Sequence, residues 1–230
     1  MTIILYDLCA GDGQRRFSPH CWKARMALAH KGLTFETRAT PFTKIKEIGG
    51  GFSPTVPVID DGGRLVRDSF DIALYLEDTY PDRPTLFAGD GGRALSRFVE
   101  SWALTSVHPA LLGLIIVDIH GALGAEDQAY FRKSREERLG KTLEEVQAGR
   151  EARIEAFRQA WQPLRHLLGR QPFLGGEGPL FADYIAFGSL QWARVVSPVG
   201  LLADDDPVAA WFDRCLDLHG GLGRSMPAAA

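Results

Sequence analysis

The stretch Phe17-Ser18-Pro19-His20-Cys21-Trp22-Lys23-Ala24-Arg25-Met26-Ala27-Leu28-Ala29-His30-Lys31-Gly32 decides how the rest of the chain is read. Ser18 reads as a helix N-cap and Pro19 as the first helical residue, where a missing backbone N–H costs nothing. Trp22, Met26 and Ala29 recur at helical spacing, Lys31 falls in the last turn, and Gly32 can take the left-handed conformation that ends a helix. The first turn of such a helix presents unpaired N–H groups and a hydroxyl. A thiolate held over Ser18 would gain hydrogen bonds and a favourable dipole there. Ser-Pro helix starts are also common without any chemistry, so this stretch alone leaves a plain capped helix as the alternative.

Working outward, Thr2 to Tyr6 is a short apolar run that reads as a strand, and Cys9 to Arg16 reads as a loop. Beyond the helix, Leu33-Thr34-Phe35-Glu36-Thr37-Arg38 alternates apolar and polar, completing a β-α-β unit. The polar stretch Pro41 to Ser53, with Lys44, Lys46 and Gly49-Gly50-Gly51, predicts a flexible loop over a binding site. Pro54-Thr55-Val56-Pro57-Val58-Ile59 then leads through Asp60-Asp61-Gly62-Gly63 into Arg64-Leu65-Val66, a β-hairpin. Asp68-Ser69 cap a helix from Phe70 to about Tyr80, stopped by Pro81. The order β-α-β-β-β-α accounts for residues 1 to 87.

Ala88-Gly89-Asp90-Gly91-Gly92 reads as a linker, and from residue 94 to 230 the pattern is all helical. Leu95 to about Leu123 predicts a central buried helix kinked at Pro109. Glu126 to Leu168 is amphipathic, and its dense charges read as solvated faces. Gln171 to Gly176 breaks the pattern, Phe181 to about Val196 resumes it, and Asp204-Asp205-Asp206-Pro207 starts a last helix to about Leu218. From Gly220 onward a mobile tail is expected.

With 230 residues, two domains with separate cores are expected, and an apolar fraction of 45% can fill both. A net charge of −3 with acids and bases interspersed gives no broad basic surface for nucleic acid. Three scattered cysteines, Cys9, Cys21 and Cys215, make neither a disulfide framework nor a zinc site, which suits a reducing, cytoplasmic setting. His108, His120, His166 and His219 have no metal-ligand spacing, so no metal is expected. The longest apolar block, Leu111 to Val117, is too short to span a bilayer, and neither export nor membrane insertion is expected.

In this order the chain resembles the glutathione transferase family, with a thioredoxin-like N-terminal domain followed by an all-α bundle. Ser18 falls where many classes of that family carry a catalytic Ser. Val56-Pro57 resembles its cis-proline motif, in which the backbone of the residue before Pro pairs with the cysteinyl part of glutathione as an added strand would. Asp68-Ser69 resembles the pair that holds the γ-glutamyl end, the carboxylate taking the ammonium and the hydroxyl with nearby N–H groups taking the carboxylate. For the glycyl carboxylate, Lys44 is the first choice and Lys46 the second, against a solvated loop as the alternative. Ala182-Asp183 resembles the family's buried capping motif, although Leu180 stands where a Ser or Thr is usual and cannot cap through its side chain.

Three stretches, Ser18 to Lys23, Phe131 to Arg138 and Phe181 to Ala193, look like the branch holding bacterial β-etherases of lignin breakdown and fungal etherase-like transferases. The resemblance implies an enzyme that uses glutathione thiolate on an apolar aromatic co-substrate bound between the domains, with a homodimer as in most of the family. A general detoxifying transferase and a non-catalytic ligand carrier are the alternatives. His20 is placed to assist proton transfer, with an ordinary helix residue as its alternative. Cys21 sits at the second position of a thioredoxin-type pair whose first position here is Ser. It therefore reads as a structural thiol, and only a glutaredoxin-like reductase would need Cys21 or Cys9 to act.

Overall fold

A computed structural model describes residues 2–230 of the chain. Its first layer is a four-stranded sheet in the order β2-β1-β3-β4, built from β1 (Ile3–Leu8), β2 (Phe35–Thr40), β3 (Val58–Asp61) and β4 (Arg64–Arg67). β1 runs parallel to β2, with Ile3 opposite Phe35 and Leu8 opposite Thr40, because the intervening helix α1 (Pro19–His30) carries the chain across the sheet. β3 and β4 are antiparallel, as a tight hairpin requires. Helix α2 (Ser69–Thr79) closes this thioredoxin-like unit.

The stretch expected as a flexible loop between β2 and β3 is instead 3-10 helical over Phe42–Gly50. Ile45 and Ile48 turn inward and Lys44 and Lys46 outward, so apolar anchoring overrides the glycine run. The start of this segment is held from outside. Asp127, a buried residue of helix α5 (Ala125–Leu139), accepts from the Phe42 N–H at 2.8 Å and the Thr43 N–H at 2.9 Å. One of the charges expected on a solvated face is thus a cap across the two halves of the chain.

The helical part begins with α3 (Asp90–Trp102), which already includes Gly91 and Gly92 of the expected linker, and α4 (His108–Ala122). The kink expected at Pro109 falls just before it, where Ala103–Val107 widens into a π turn and the His108 N–H reaches the Ala103 carbonyl. Pro109 has no N–H to give a normal helical bond, and the wider turn absorbs that mismatch. The run Asp90–Ala122 is continuous over 33 residues and by length and composition alone could cross a membrane. That corrects the estimate made from Leu111 to Val117; in this fold the run packs along helix α9 (Phe181–Val196).

The amphipathic region is divided into α5, α6 (Leu143–Gln147), a 3-10 turn (Arg150–Arg153), α7 (Ile154–Ala160) and α8 (Gln162–Leu168). Helix α9 spans the expected residues and is almost wholly buried. Its Gly188 lies so close to α1 that a Cβ there would stand 2.5 Å from the Pro19 carbonyl oxygen. The helix start that carries Ser18 is seated on that glycine. Asp183, the third residue of α9, solves the Leu180 problem with its own carboxylate, which accepts from Leu174 N–H (2.7 Å), Gly175 N–H (2.9 Å), Leu180 N–H (3.0 Å) and the Trp211 indole (3.0 Å).

Helix α10 (Pro207–Gly221) ends the regular structure, but the residues after it are not a loose tail. Gln191 donates to the Gly223 carbonyl at 2.9 Å, Arg194 donates to the Met226 carbonyl at 2.7 Å, and the Ala229 N–H donates to the Arg194 carbonyl at 2.8 Å. Met226 is buried, and its sulfur accepts from the Arg16 N–H. Polar anchors on α9 hold a segment that has too few apolar residues to announce its docking in the sequence.

Candidate active site

Ser18 is the N-cap of α1, and its Oγ accepts from the Cys21 N–H at 3.3 Å. That contact uses an acceptor lone pair, so the hydroxyl proton remains available to a ligand. Ser18 lines a cavity of about 950 Å³ between the thioredoxin-like unit and the helices, within the size of a small-molecule site.

Val56-Pro57 is cis, and both residues line the same cavity. So does Asp68, the N-cap of α2, whose Oδ1 accepts from the Phe70 N–H at 2.8 Å and the Asp71 N–H at 3.2 Å. Asp68 sits at φ 67°, a backbone conformation that costs a non-glycine residue about 1–3 kcal/mol and that tends to persist where function needs it. Ser69 follows as the first helical residue; it is buried, and its Oγ has no hydrogen-bond partner among the described residues.

Ser69 is not itself on the cavity wall, and two further expected site residues also lie off it. Lys44 is exposed on the outer side of the 3-10 segment, pairs with Glu47 at 3.0 Å and is not part of the cavity wall. The Cys21 thiol is fully buried behind α1, and burial, then the nearby Asp7 carboxylate, push it well above its ordinary range. Its part in the site is the backbone N–H given to Ser18.

His20 does line the cavity, facing His108 from α4 with ring centroids 5.4 Å apart. Its Nδ1 lies 3.3 Å from the Nζ of fully buried Lys23, which in turn meets Glu100 of α3 at 3.4 Å. Burial first, then the Lys23 charge, then His108 lower the His20 pKa well below 6.5. Burial and Lys23 likewise pull His108 down to about 4, and its Nε2 pairs with Ser189 Oγ at 3.0 Å. Both imidazoles are neutral at physiological pH.

The other wall comes from the helices: Leu104, Leu112, Tyr130, Phe131 and Trp192, together with Arg135, Arg138 and Arg153. An aromatic chain links the two halves, Phe17 to Phe42 at 6.3 Å and Phe42 to Phe131 at 5.7 Å. Sequence reasoning gave no site role to His108, to Trp192 or to these arginines. Phe131 and Arg135 are four apart on one helix face, a signal that was present, but which helix would face the Ser18 helix was not. Among the described residues no group of three or more His, Cys, Asp or Glu is placed to hold a metal ion.

A helix capped by Ser18, a cis-proline edge and an apolar cavity shared with a helical domain together define a thioredoxin-fold protein of the glutathione-binding kind. Residues 17–79 match the family model for the glutathione S-transferase N-terminal domain, and residues 94–218 match that for the C-terminal domain. The chain belongs to the glutathione S-transferase family.

Among solved structures, glutathione transferase GSTFuA3 from Phanerochaete chrysosporium is 30% identical, with a TM-score of 0.77 over 98% of this chain and 94% of that one. The glutathione S-transferase CsGST63524 of Ceriporiopsis subvermispora, in complex with glutathione, is 25% identical with a TM-score of 0.75, covering 100% and 99% of the two chains. Beta-etherase LigF from Sphingobium sp. strain SYK-6 shares the fold at 21% identity, with a TM-score of 0.69 over 98% and 99%.

Proposed function

We propose that this protein joins the thiolate of glutathione to an apolar aromatic co-substrate, and that its co-substrates include β-aryl ethers. The observation that carries the reading is Ser18: its acceptor side is occupied by the Cys21 N–H, which leaves its proton for a thiolate on the wall of an apolar cavity. Hydrogen bonding and the α1 N-terminus lower a thiol pKa from about 8.5 and raise the reactive fraction at neutral pH. Asp68 Oδ2, outside the cap contacts made by Oδ1, takes the γ-glutamyl ammonium. The Ser69 hydroxyl, just behind the wall and without a partner among the described residues, takes the γ-glutamyl carboxylate once the ligand displaces the covering atoms, and the Val56 backbone pairs with the cysteinyl unit. Lys44 reaches the glycyl carboxylate only by leaving Glu47.

In ether cleavage the thiolate attacks the carbon bearing the aryl ether oxygen. A C–S bond forms, the C–O electrons leave with the phenolate, and solvent protonates it. The aromatic wall and the resemblance of the Ser18, Phe131 and Phe181 stretches support this branch. A homodimer is part of the same reading, supported by exposed Phe52, Leu95 and Phe98, as is a cytoplasmic setting, supported by three free buried thiols. Light scattering tests the dimer.

Incubation with glutathione and a β-aryl ether, followed by mass spectrometry, tests the reaction; a phenol and a glutathione thioether are expected. Conjugation of halides or epoxides without phenol release would leave a general detoxifying transferase. Glutathione binding with no thioether from any electrophile would leave a ligand carrier.

A further inference from the structure

Several arginines of the helical part are held by carboxylates or by backbone carbonyls. Arg132 pairs with Glu136 and Glu144, Arg150 with Asp118 and Arg165 with Asp206, while Arg153 donates to the carbonyls of Gly113, Val146 and Ala148. Arg135, like its neighbour Arg138 on the same cavity wall, has no carboxylate or carbonyl partner among the described residues. Arg135 lines the cavity, is half-buried, and has no carboxylate within 4.0 Å among the described residues. Its one hydrogen-bond partner among the described residues is a neutral hydroxyl, Ser134 Oγ at 3.1 Å.

We propose that Arg135 is the anion subsite for a carboxylate on the co-substrate, so that the preferred partners of glutathione here are aromatic acids. The inference rests on the transferase reading of the same cavity. The guanidinium is held over the Phe131 ring at 4.6 Å and the Phe42 ring at 5.3 Å, so its planar fork is oriented at the end of an aromatic wall. Burial and the neighbouring charge of Arg138, itself on the cavity wall, both act against the guanidinium's charge. A carboxylate would relieve both, through paired charge-assisted hydrogen bonds sheltered from water. Tyr130 and Phe131 flank the position, which places a flat ring and an acidic group side by side.

The test is equilibrium binding of naphthoate and of its methyl ester to the full-length protein at saturating glutathione, by titration calorimetry. The native protein should bind the acid about tenfold or more tightly than the ester, the range of a charge-assisted hydrogen bond. Arg135→Gln should abolish that preference and Arg135→Lys should keep part of it, with the glutathione Kd changed by no more than about twofold. No preference for the acid, or a preference that survives Arg135→Gln, overturns the proposal. So does a matching loss of glutathione affinity in Arg135→Gln, which would put the residue on the glycyl carboxylate. Because this readout needs no turnover, absence of thioether formation defeats the transferase reading without touching it, and glutathione failing to bind at all sinks both.

Discussion

Lys23 Nζ lies 3.3 Å from His20 Nδ1 while the Lys23 side chain is wholly buried and tied to Glu100 across the two halves of the chain. An ammonium only donates, so His20 Nδ1 accepts and the ring proton sits on Nε2, directed away from Lys23. Nitrogen NMR of the imidazole should therefore show the Nε2–H tautomer, with no titration near 6.5. Lys23→Met should raise the His20 pKa. An ordinary titration in the native protein would contradict the pairing.

His108 gives stability a pH dependence whose sign is set by its low folded pKa. Between 6.5 and about 4 the unfolded chain holds a proton on His108 that the folded chain does not. The contribution is thus complete above 6.5 and is lost as pH falls toward 4, at up to about 1.4 kcal/mol per pH unit. Urea melts across that window should flatten in His108→Asn. An unchanged slope would mean the imidazole is already charged in the fold.

Asp183 satisfies three backbone N–H groups and the Trp211 indole in the interior. Asp183→Ala leaves four donors buried without partners, each costing about 1–3 kcal/mol, so a stability loss of roughly 3 kcal/mol or more is expected in urea melts. A loss under about 1 kcal/mol would show that water or relaxation replaces the carboxylate readily.

Read alone, the sequence determined the elements whose signals are local. Ser18-Pro19 and Gly32 bracket α1, the alternation around Phe35 marks β2, the Asp-Gly turn marks the hairpin, and the apolar run from Phe181 to Val196 matches α9. These depend on caps, turns and periodicity within a few residues, which any chain carries with it. What only the tertiary structure decided depends on partners distant in sequence. Asp127 anchors the 3-10 segment that turns Lys44 away from the cavity, Gln191 and Arg194 tie down the last residues, and Gly188 admits the Pro19 carbonyl. The same packing brings His108 against His20 and Arg135 over Phe42. No periodicity in one segment encodes which face another will cover, because that choice is settled by burial and hydrogen-bond satisfaction summed over the whole fold.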